Sequence, residues 1–208
     1  MGTFITLEGP DGSGKTTQAH LLVEWLRDQG HDVLLTREPG GTNIGDQVRG
    51  VLHDAGNKAM DPGTEFLLYS ASRAQHVSQL ILPSLAVGRV VVSDRYADSS
   101  LAYQGYGRGL DLAVLHTITA FATQGLKPDL TIYFDIAPGE GLQRRLLSGE
   151  EWNRMDAETL AFHERVRAGY WELIAAEPER WKVIGANRSV EDVQADVRIA
   201  VDARLRAG

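Results

Sequence analysis

The chain has 208 residues, with 21 Lys+Arg against 28 Asp+Glu and a formal net charge of −7. This length suits one domain with a substantial core, and the acidic balance argues against a protein that holds duplex nucleic acid by general positive charge. The chain contains no cysteine, which excludes disulfides, thiolate metal sites and a cysteine nucleophile.

Short β-branched runs alternate with longer helical patterns along the chain. Such alternation indicates a parallel sheet wrapped by helices, and no linker or composition break divides the sequence. We therefore expect one α/β domain over residues 1–208. The predicted strands are Phe4–Leu7, Val33–Thr36, Arg89–Ser93, Leu130–Asp135 and Trp181–Ile184, and the predicted helices are Thr16–Gln29, Thr64–Ala86, Leu112–Gln124, Glu140–Leu147, Ala157–Ala176 and Val190–Leu205.

Nothing in the sequence indicates export or a membrane. No apolar run approaches the ~18 residues that a membrane helix needs. The first strand begins almost at once, without a basic and apolar signal segment before it. With the absence of cysteine, this favours a cytoplasmic location.

The first strand is followed by a glycine-rich loop. Residues 9–16 read Gly-Pro-Asp-Gly-Ser-Gly-Lys-Thr, which matches G-x-x-x-x-G-K-[ST], and the loop opens an amphipathic helix. Glycines let backbone N–H groups turn onto phosphates at the helix N-terminus. Lys15 would reach the β- and γ-phosphates, and Thr16 would complete a Mg²⁺ shell. The alternative, a strand-to-helix turn that merely needs glycines, is disfavoured by the flanking strand and helix.

This loop alone does not name a function, since switches, motors and kinases share it. A guanine-nucleotide switch should carry Asn-Lys-x-Asp, but Asn57-Lys58 is followed by Ala59-Met60. Asp94-Arg95 follows a strand, so both lie at the edge of the sheet where ligands bind. There Asp94 can hold Mg²⁺ through water and Arg95 can clamp a phosphate, unless the two are a solvated pair.

The helix predicted over 64–86 carries a candidate site for a planar base. Phe66, Ser70 and Arg73 share one face by their spacing, and Phe66 could stack while Arg73 donates to a carbonyl or a phosphate. Taken alone, they could equally be a core ring and a surface charge. A neighbouring apolar stripe is expected to pack the helix onto the core; it comprises Leu67, Ala71, Ala74 and Ile81.

Several segments together resemble the thymidylate kinase (dTMP kinase) family. They are Glu8–Thr17, Arg37-Glu38-Pro39-Gly40-Gly41-Thr42, Phe66 with Ser72-Arg73, Asp94-Arg95-Tyr96 and Tyr103-Gln104-Gly105. The resemblance spans almost the whole chain. It implies a three-layer P-loop nucleoside monophosphate kinase fold with a five-stranded parallel sheet, and transfer of the ATP γ-phosphoryl group to dTMP with Mg²⁺ in a homodimer.

The resemblance also implies roles for individual residues. Phe66 and Ser70 would lie at the thymine, with Arg73 on its edge and Ser100 and Gln104 facing it. Tyr103 would exclude a ribose 2′-hydroxyl, and Asp11 would approach the 3′-hydroxyl. Arg95 would hold the dTMP phosphate. The remaining assignments are Glu38, Pro39 and Arg49 for the acceptor, Gly9, Pro10, Asp11, Gly12, Ser13, Gly14, Lys15, Thr16, Thr17 and Arg188 for ATP, and Thr16 with Asp94 for the metal. Arg49 could equally be an exposed charge, and Arg188 a charge on a surface loop.

A mobile lid is expected at about residues 142–155. One branch of the family carries a catalytic arginine inside the P-loop, but the matching position here is Gly12. The chain therefore resembles the branch with arginines in the lid. Arg145 and Arg154 are the candidate catalytic cations beside Lys15, Arg95 and Asp11, with Arg144 next; as an alternative, Arg144 and Arg145 are solvated helix charges.

Two other functions stay open at this point. The chain could phosphorylate another nucleoside monophosphate or a deoxynucleoside, or it could be a nucleotide-dependent interaction module without an acceptor. A preference for dTMP over other acceptors would separate the first alternative, and ATP turnover without added monophosphate would favour the second.

Overall fold

The computed structural model describes residues 2–147, 149 and 153–207. Its five strands form one parallel sheet in the order β2-β3-β1-β4-β5, which confirms the predicted sheet. Each predicted strand is confirmed to within one residue at either end. The strands are β1 Thr3–Glu8, β2 Val33–Arg37, β3 Val90–Asp94, β4 Leu130–Asp135 and β5 Trp181–Gly185.

The helices cover both faces of this sheet. Two π-helical segments, Val77–Ile81 and Leu101–Gly107, continue α3 and α5 respectively. The predicted helix 64–86 is thus a π-interrupted run, because Pro83 has no N–H to donate to the regular ladder. The helices are α1 Lys15–Asp28, α2 Asn43–His53, α3 Pro62–His76, α4 Leu82–Ala86, α5 Ala97–Ser100, α6 Leu112–Thr123, α7 Pro138–Leu147, α8 Leu160–Ala176 and α9 Val190–Ala207.

Alternation along the strands divides the core into layers. Ile5 and Leu7 of β1 belong to a cluster that α1 and α9 close with Leu22 and Val197, whereas Phe4 packs on the opposite face of the sheet. Side chains at successive strand positions point to opposite faces, so both faces are covered and the fold has three layers. Within the described residues, no helix has the length and apolarity required to span a bilayer.

The predicted apolar stripe is wrong within α3, although Ile81, which follows α3, is fully buried in the core as expected. Leu67 is 55% exposed and Ala71 is exposed too. The helix instead buries polar side chains, among them Glu65, Arg73 and His76. These residues find hydrogen-bond partners inside the protein, so their burial carries no unpaired charge.

Candidate active site

A cavity of about 730 Å³ opens at the carboxyl ends of β1, β2 and β3. This is the edge where ligands bind in open α/β sheets. It brings together most of the residues predicted for the two substrates. Those on its wall are Asp11, Gly12, Gly14, Lys15, Thr16, Thr17, Glu38, Pro39, Arg49, Arg73, Asp94, Arg95, Ser100, Tyr103, Gln104 and Arg145.

The glycine-rich loop has the backbone that phosphate binding requires. Gly9, Gly12 and Gly14 adopt positive φ angles, which side chains disfavour. A Cβ at Gly12 would lie 1.9 Å from the backbone oxygen of Gly141, so an arginine cannot stand there with α7 in this position. Lys15 donates from Nζ to the Pro10 carbonyl at 2.7 Å and so lies folded over the loop.

Thr16 and Asp94 meet at the start of α1. The Thr16 hydroxyl donates to Asp94 Oδ2 at 2.6 Å, because β1 and β3 are parallel neighbours and Leu7 pairs with Asp94. A hydroxyl backed by a carboxylate is a donor set that suits Mg²⁺, which takes most of its ligands from phosphate and water. The described residues hold no group of three acidic or histidine ligands that could cage a metal unaided.

Arg95 lies between the two halves of the cavity. Its backbone is strained, with φ 71°, and this conformation turns the guanidinium towards Asp11 Oδ1 at 2.6 Å. The Tyr103 hydroxyl donates to the other carboxylate oxygen of Asp11 at 3.2 Å. Burial opposes ionisation of Asp11, but Arg95 and Lys15 outweigh it and hold the pKa of that carboxyl well below its usual range.

Arg73 is fully buried and almost saturated with acceptors. It donates to Glu38 Oε2 at 2.7 Å, and to the Tyr96 carbonyl and the Ser100 hydroxyl at 3.0 Å each. His76 Nδ1 lies 3.0 Å from the second oxygen of Glu38. In the described structure Arg73 Nη1 is buried without a hydrogen-bond partner, and Arg73 is one of the residues that line the cavity.

The aromatic residue of α3 that lines the cavity is Tyr69, and not the predicted Phe66. Phe66 is 3% exposed and packs in the core with Leu101 and Leu115. Neither Phe66 nor Ser70 is among the described residues that line the cavity, whereas Tyr69 is. Tyr69 precedes Arg73 by four residues and shares its face of α3. This i, i+4 spacing indicates Tyr69 as the ring beside Arg73, whereas the sequence-based prediction named Phe66 as the stacking ring.

Arg49 and His53 of α2 line the cavity beside the loop that follows β2. Arg49 Nη1 donates to the Pro39 carbonyl at 3.0 Å, and burial lowers its pKa. Burial and the charge of Arg49 also lower the pKa of His53 to about 4, so the imidazole is neutral at pH 7. Sequence reasoning missed His53, since nothing in its neighbourhood indicates a site.

The comparisons with known proteins identify the family. The model of the thymidylate kinase family matches residues 7–197. The chain belongs to the thymidylate kinase family. It is 51% identical to the thymidylate kinase of Roseiflexus sp. (strain RS-1), covering 99% of this chain and 96% of that one. It is 48% identical to the thymidylate kinase of Geotalea uraniireducens (strain Rf4) over the full length of both.

A solved structure supports the same family. The thymidylate kinase from Ehrlichia chaffeensis superposes with a TM-score of 0.78 at 34% identity, over 96% of this chain and 98% of that one. The predicted nucleoside monophosphate kinase fold is thereby confirmed.

In this member of the thymidylate kinase family, the two predicted lid arginines lie in different places. Arg145 lies on the cavity wall and pairs with Asp156 at 3.2 Å. Arg154 lies off that wall, where it pairs with Glu65 and donates to the Leu52 carbonyl at 3.2 Å. A catalytic role for Arg154 therefore stays a prediction and requires this side chain to leave Glu65. Ser148, Glu150, Glu151 and Trp152 of the predicted lid lie outside the described residues.

The loop after β5 is connected to α7. Arg144 donates to the Ala186 carbonyl and to Asn187 Oδ1, both at 2.9 Å. Arg188 turns away, to Asp196 Oδ2 at 2.5 Å and the Gly185 carbonyl, and it is not among the described cavity residues. Its predicted contact with ATP stays a prediction.

Proposed function

We propose that the chain transfers the γ-phosphoryl group of ATP to dTMP, giving dTDP. The observation that carries this proposal is a single cavity with two chemically different walls: Lys15 and Thr16 of the phosphate loop on one side, and Arg73 and Tyr103 on the other. A nucleotide-dependent module without an acceptor would not need the second wall. Membership of the thymidylate kinase family supports the same activity.

The phosphate loop would hold the triphosphate of ATP. The N–H groups at the start of α1 and Lys15 face it, and Thr16 with Asp94 would hold Mg²⁺. When bound, the metal neutralises charge on the β- and γ-phosphates. A phosphate oxygen of dTMP then attacks the γ-phosphorus, and the bond to the β,γ-bridging oxygen breaks to release ADP. The attacking phosphate oxygen of dTMP is already ionised at neutral pH, so no general base is required.

The wall that carries Arg73 and Tyr103 would offer a contact to each part of dTMP. Arg95 and Arg49 would hold its phosphate, and the free Nη1 of Arg73 would donate to a base carbonyl. Tyr69 replaces Phe66 as the proposed stacking ring, because it lies on the cavity wall. The Tyr103–Asp11 pair at 3.2 Å leaves the sugar side closely packed, which suits a deoxyribose.

We also propose a domain organisation, a location and an oligomeric state for the active protein. The whole chain, residues 1–208, would be one P-loop kinase domain with a mobile lid at about 142–155 that carries Arg145. We further propose a cytoplasmic homodimer. Its interface would be the outer face of α3 and α6, where Leu67, Val114 and Phe121 are exposed.

A coupled assay of ADP release tests the proposal. With ATP and Mg²⁺, dTMP should be phosphorylated with a kcat/KM well above those of dUMP, dCMP and the ribose analogue of dTMP. A clear preference for another acceptor would favour a different nucleoside monophosphate kinase. ATP turnover that does not depend on any monophosphate would favour the interaction module.

A further inference from the structure

A buried carboxylate behind the cavity wall connects three side chains. Glu65 of α3 is fully buried and is not among the described residues that line the cavity. Its Oε1 accepts from Gln104 Nε2 at 2.7 Å and from Arg108 Nε at 3.2 Å. Its Oε2 accepts from Arg108 Nη2 at 3.0 Å and pairs with Arg154. Both oxygens are therefore occupied by donors.

Two guanidinium groups keep Glu65 ionised. Burial alone would favour the neutral acid, but the hydrogen bonds from Arg108 and Gln104 and the charge of Arg154 lower the pKa of Glu65. An ionised carboxylate accepts hydrogen bonds and donates none. The Gln104 side chain must then turn its NH₂ group towards Glu65, whatever other neighbours it has.

The opposite atom of the same amide faces the substrate side. Gln104 is 1% exposed, yet it lies on the cavity wall beside Ser100 and Arg73. With its NH₂ directed at Glu65, the amide leaves Oε1, an acceptor, for the cavity. Arg73, a residue of the same wall, has one donor without a partner, the buried Nη1. The wall thus offers one donor and one acceptor in fixed places.

We propose that Glu65 is a positioning residue for base specificity: it locks the amide orientation of Gln104, so that the wall accepts a base with a carbonyl beside a ring N–H. This inference rests on the proposed function. Thymine and uracil carry a C4 carbonyl next to N3–H, whereas cytosine carries an amino group next to an unprotonated N3. Cytosine would place donor against donor and acceptor against acceptor.

The test compares Glu65→Gln with Glu65→Asp. A glutamine at 65 has an NH₂ group of its own, and Arg108 and Arg154 would still require its oxygen. The Gln104 amide would then turn over and present NH₂ to the cavity. An aspartate is shorter but accepts only, so it keeps the orientation while it disturbs packing. An effect of lost packing should therefore appear in Glu65→Asp, since glutamine has the size of glutamate, and an effect of orientation only in Glu65→Gln.

The readout is the ratio of kcat/KM for dTMP to that for 5-methyl-dCMP, two acceptors of the same shape that differ only in N3 and C4. We expect Glu65→Gln to lower this ratio about tenfold, the usual effect of one mispaired hydrogen bond. Glu65→Asp should keep the ratio within about threefold of the wild-type value. The dTMP to dUMP ratio, which reports the methyl group, should not change in either variant.

Three results would overturn the inference: an unchanged ratio in Glu65→Gln, an equal loss in Glu65→Asp, or a parallel change in the dTMP to dUMP ratio. If neither variant folds, ¹⁵N-labelled glutamine in the wild-type enzyme decides. The Gln104 NH₂ resonances should stay in place when dTMP binds, and a large shift would contradict the proposal. A wild-type enzyme that does not prefer dTMP would instead refute the proposed function.

Discussion

At the scale of single residues, the burial of an aromatic ring decides whether it can bind a base. Phe66 and Tyr69 are three residues apart on α3, yet Phe66 packs against Leu101 and Leu115 while Tyr69 lies on the cavity wall. Burial, followed by the charge of Glu65, raises the pKa of Tyr69 to about 12. Its hydroxyl is thus neutral at physiological pH.

Substitution of the two rings should separate these roles. Tyr69→Ala should raise the KM for dTMP about 10- to 100-fold, since base–aromatic stacking contributes ~1–3 kcal/mol. Phe66→Ala should lower the free energy of unfolding by about 3–5 kcal/mol and change that KM little. Steady-state kinetics and urea denaturation measure the two effects, with Tyr69→Phe as the control that keeps the ring. An unchanged KM in Tyr69→Ala would return the stacking role to another residue.

The charge of Lys15 should make ATP binding depend on pH. Burial and the charge of Arg95 lower the pKa of Lys15 to about 8, although Asp11 and Asp94 oppose this. Below pH 8 the ammonium is present before ATP arrives. Above pH 8 the free protein loses this proton and must regain it to bind the triphosphate, so Kd should rise by up to about tenfold per pH unit.

Titration calorimetry from pH 7 to pH 9.5 measures this effect. Over that range the Mg²⁺ complex of ATP, used as the titrant, stays fully ionised, and the heat should vary with the ionisation enthalpy of the buffer because a proton is taken up. Lys15→Arg keeps its charge throughout and should bind with a flat pH profile. A flat profile in the wild-type protein would mean that Lys15 is fully charged when free.

At the scale of elements, α7 contacts both the phosphate loop and the loop after β5. Its Gly141 packs against Gly12 of the phosphate loop, Arg144 contacts the loop after β5, and Arg145 lies on the cavity wall. A shift of α7 would thus move the phosphate loop and the candidate lid cation together.

Substitutions of two arginines on α7 should change kcat and KM separately. Arg145→Ala should lower kcat about 100-fold or more, because it removes a cation that would stabilise charge in the transition state, while the KM for dTMP changes much less. Arg144→Ala should act mainly on the KM for ATP, since Arg144 supports the Ala186–Asn187 loop. Steady-state kinetics with each substrate varied in turn measures both. An unchanged kcat in Arg145→Ala would exclude it as a catalytic residue.

At the scale of the whole molecule, charge and apolar surface are distributed unevenly. The chain is acidic overall, with 17 arginines among its 21 cations. Six of these arginines, however, line the cavity, where two polyanions would meet; they are Arg37, Arg49, Arg73, Arg95, Arg144 and Arg145. Outside the cavity, α3 and α6 pack together and expose apolar side chains, Phe121 to 84%. Large exposed rings of this kind are typical of a surface that another protein covers.

A charge on this face should dissociate the proposed dimer. Phe121→Asp should give a monomer of about half the mass of the wild-type assembly, because burial of a carboxylate in an apolar interface is costly. Ile199→Asp, on the exposed face of α9 at 67% exposure, is the matched control and should leave the assembly intact. Sedimentation velocity measures both. A wild-type protein that is monomeric at micromolar concentration would refute the dimer.

The sequence by itself determined the parts of this protein whose signals are local. These signals are the strand and helix periods and the glycines and Lys-Thr pair of the phosphate loop. Each follows from the backbone requirements of neighbouring residues. The five strands and the site around Lys15, Thr16 and Asp94 were therefore predictable. Helix spacing and strand-end position indicated Arg73 and Arg95, and the resemblance added Tyr103; all three line the same cavity.

Only the tertiary structure decided which face of α3 is buried. Its period fits both orientations, and the apolar stripe with Leu67 was the expected one. Arg73 is buried because Glu38 and Tyr96, 35 and 23 residues away in the sequence, supply its acceptors, and Glu65 because Arg108 and Arg154 supply its cations. Burial of a charge depends on partners that only the fold brings together, so the role of Glu65 was not evident in the sequence.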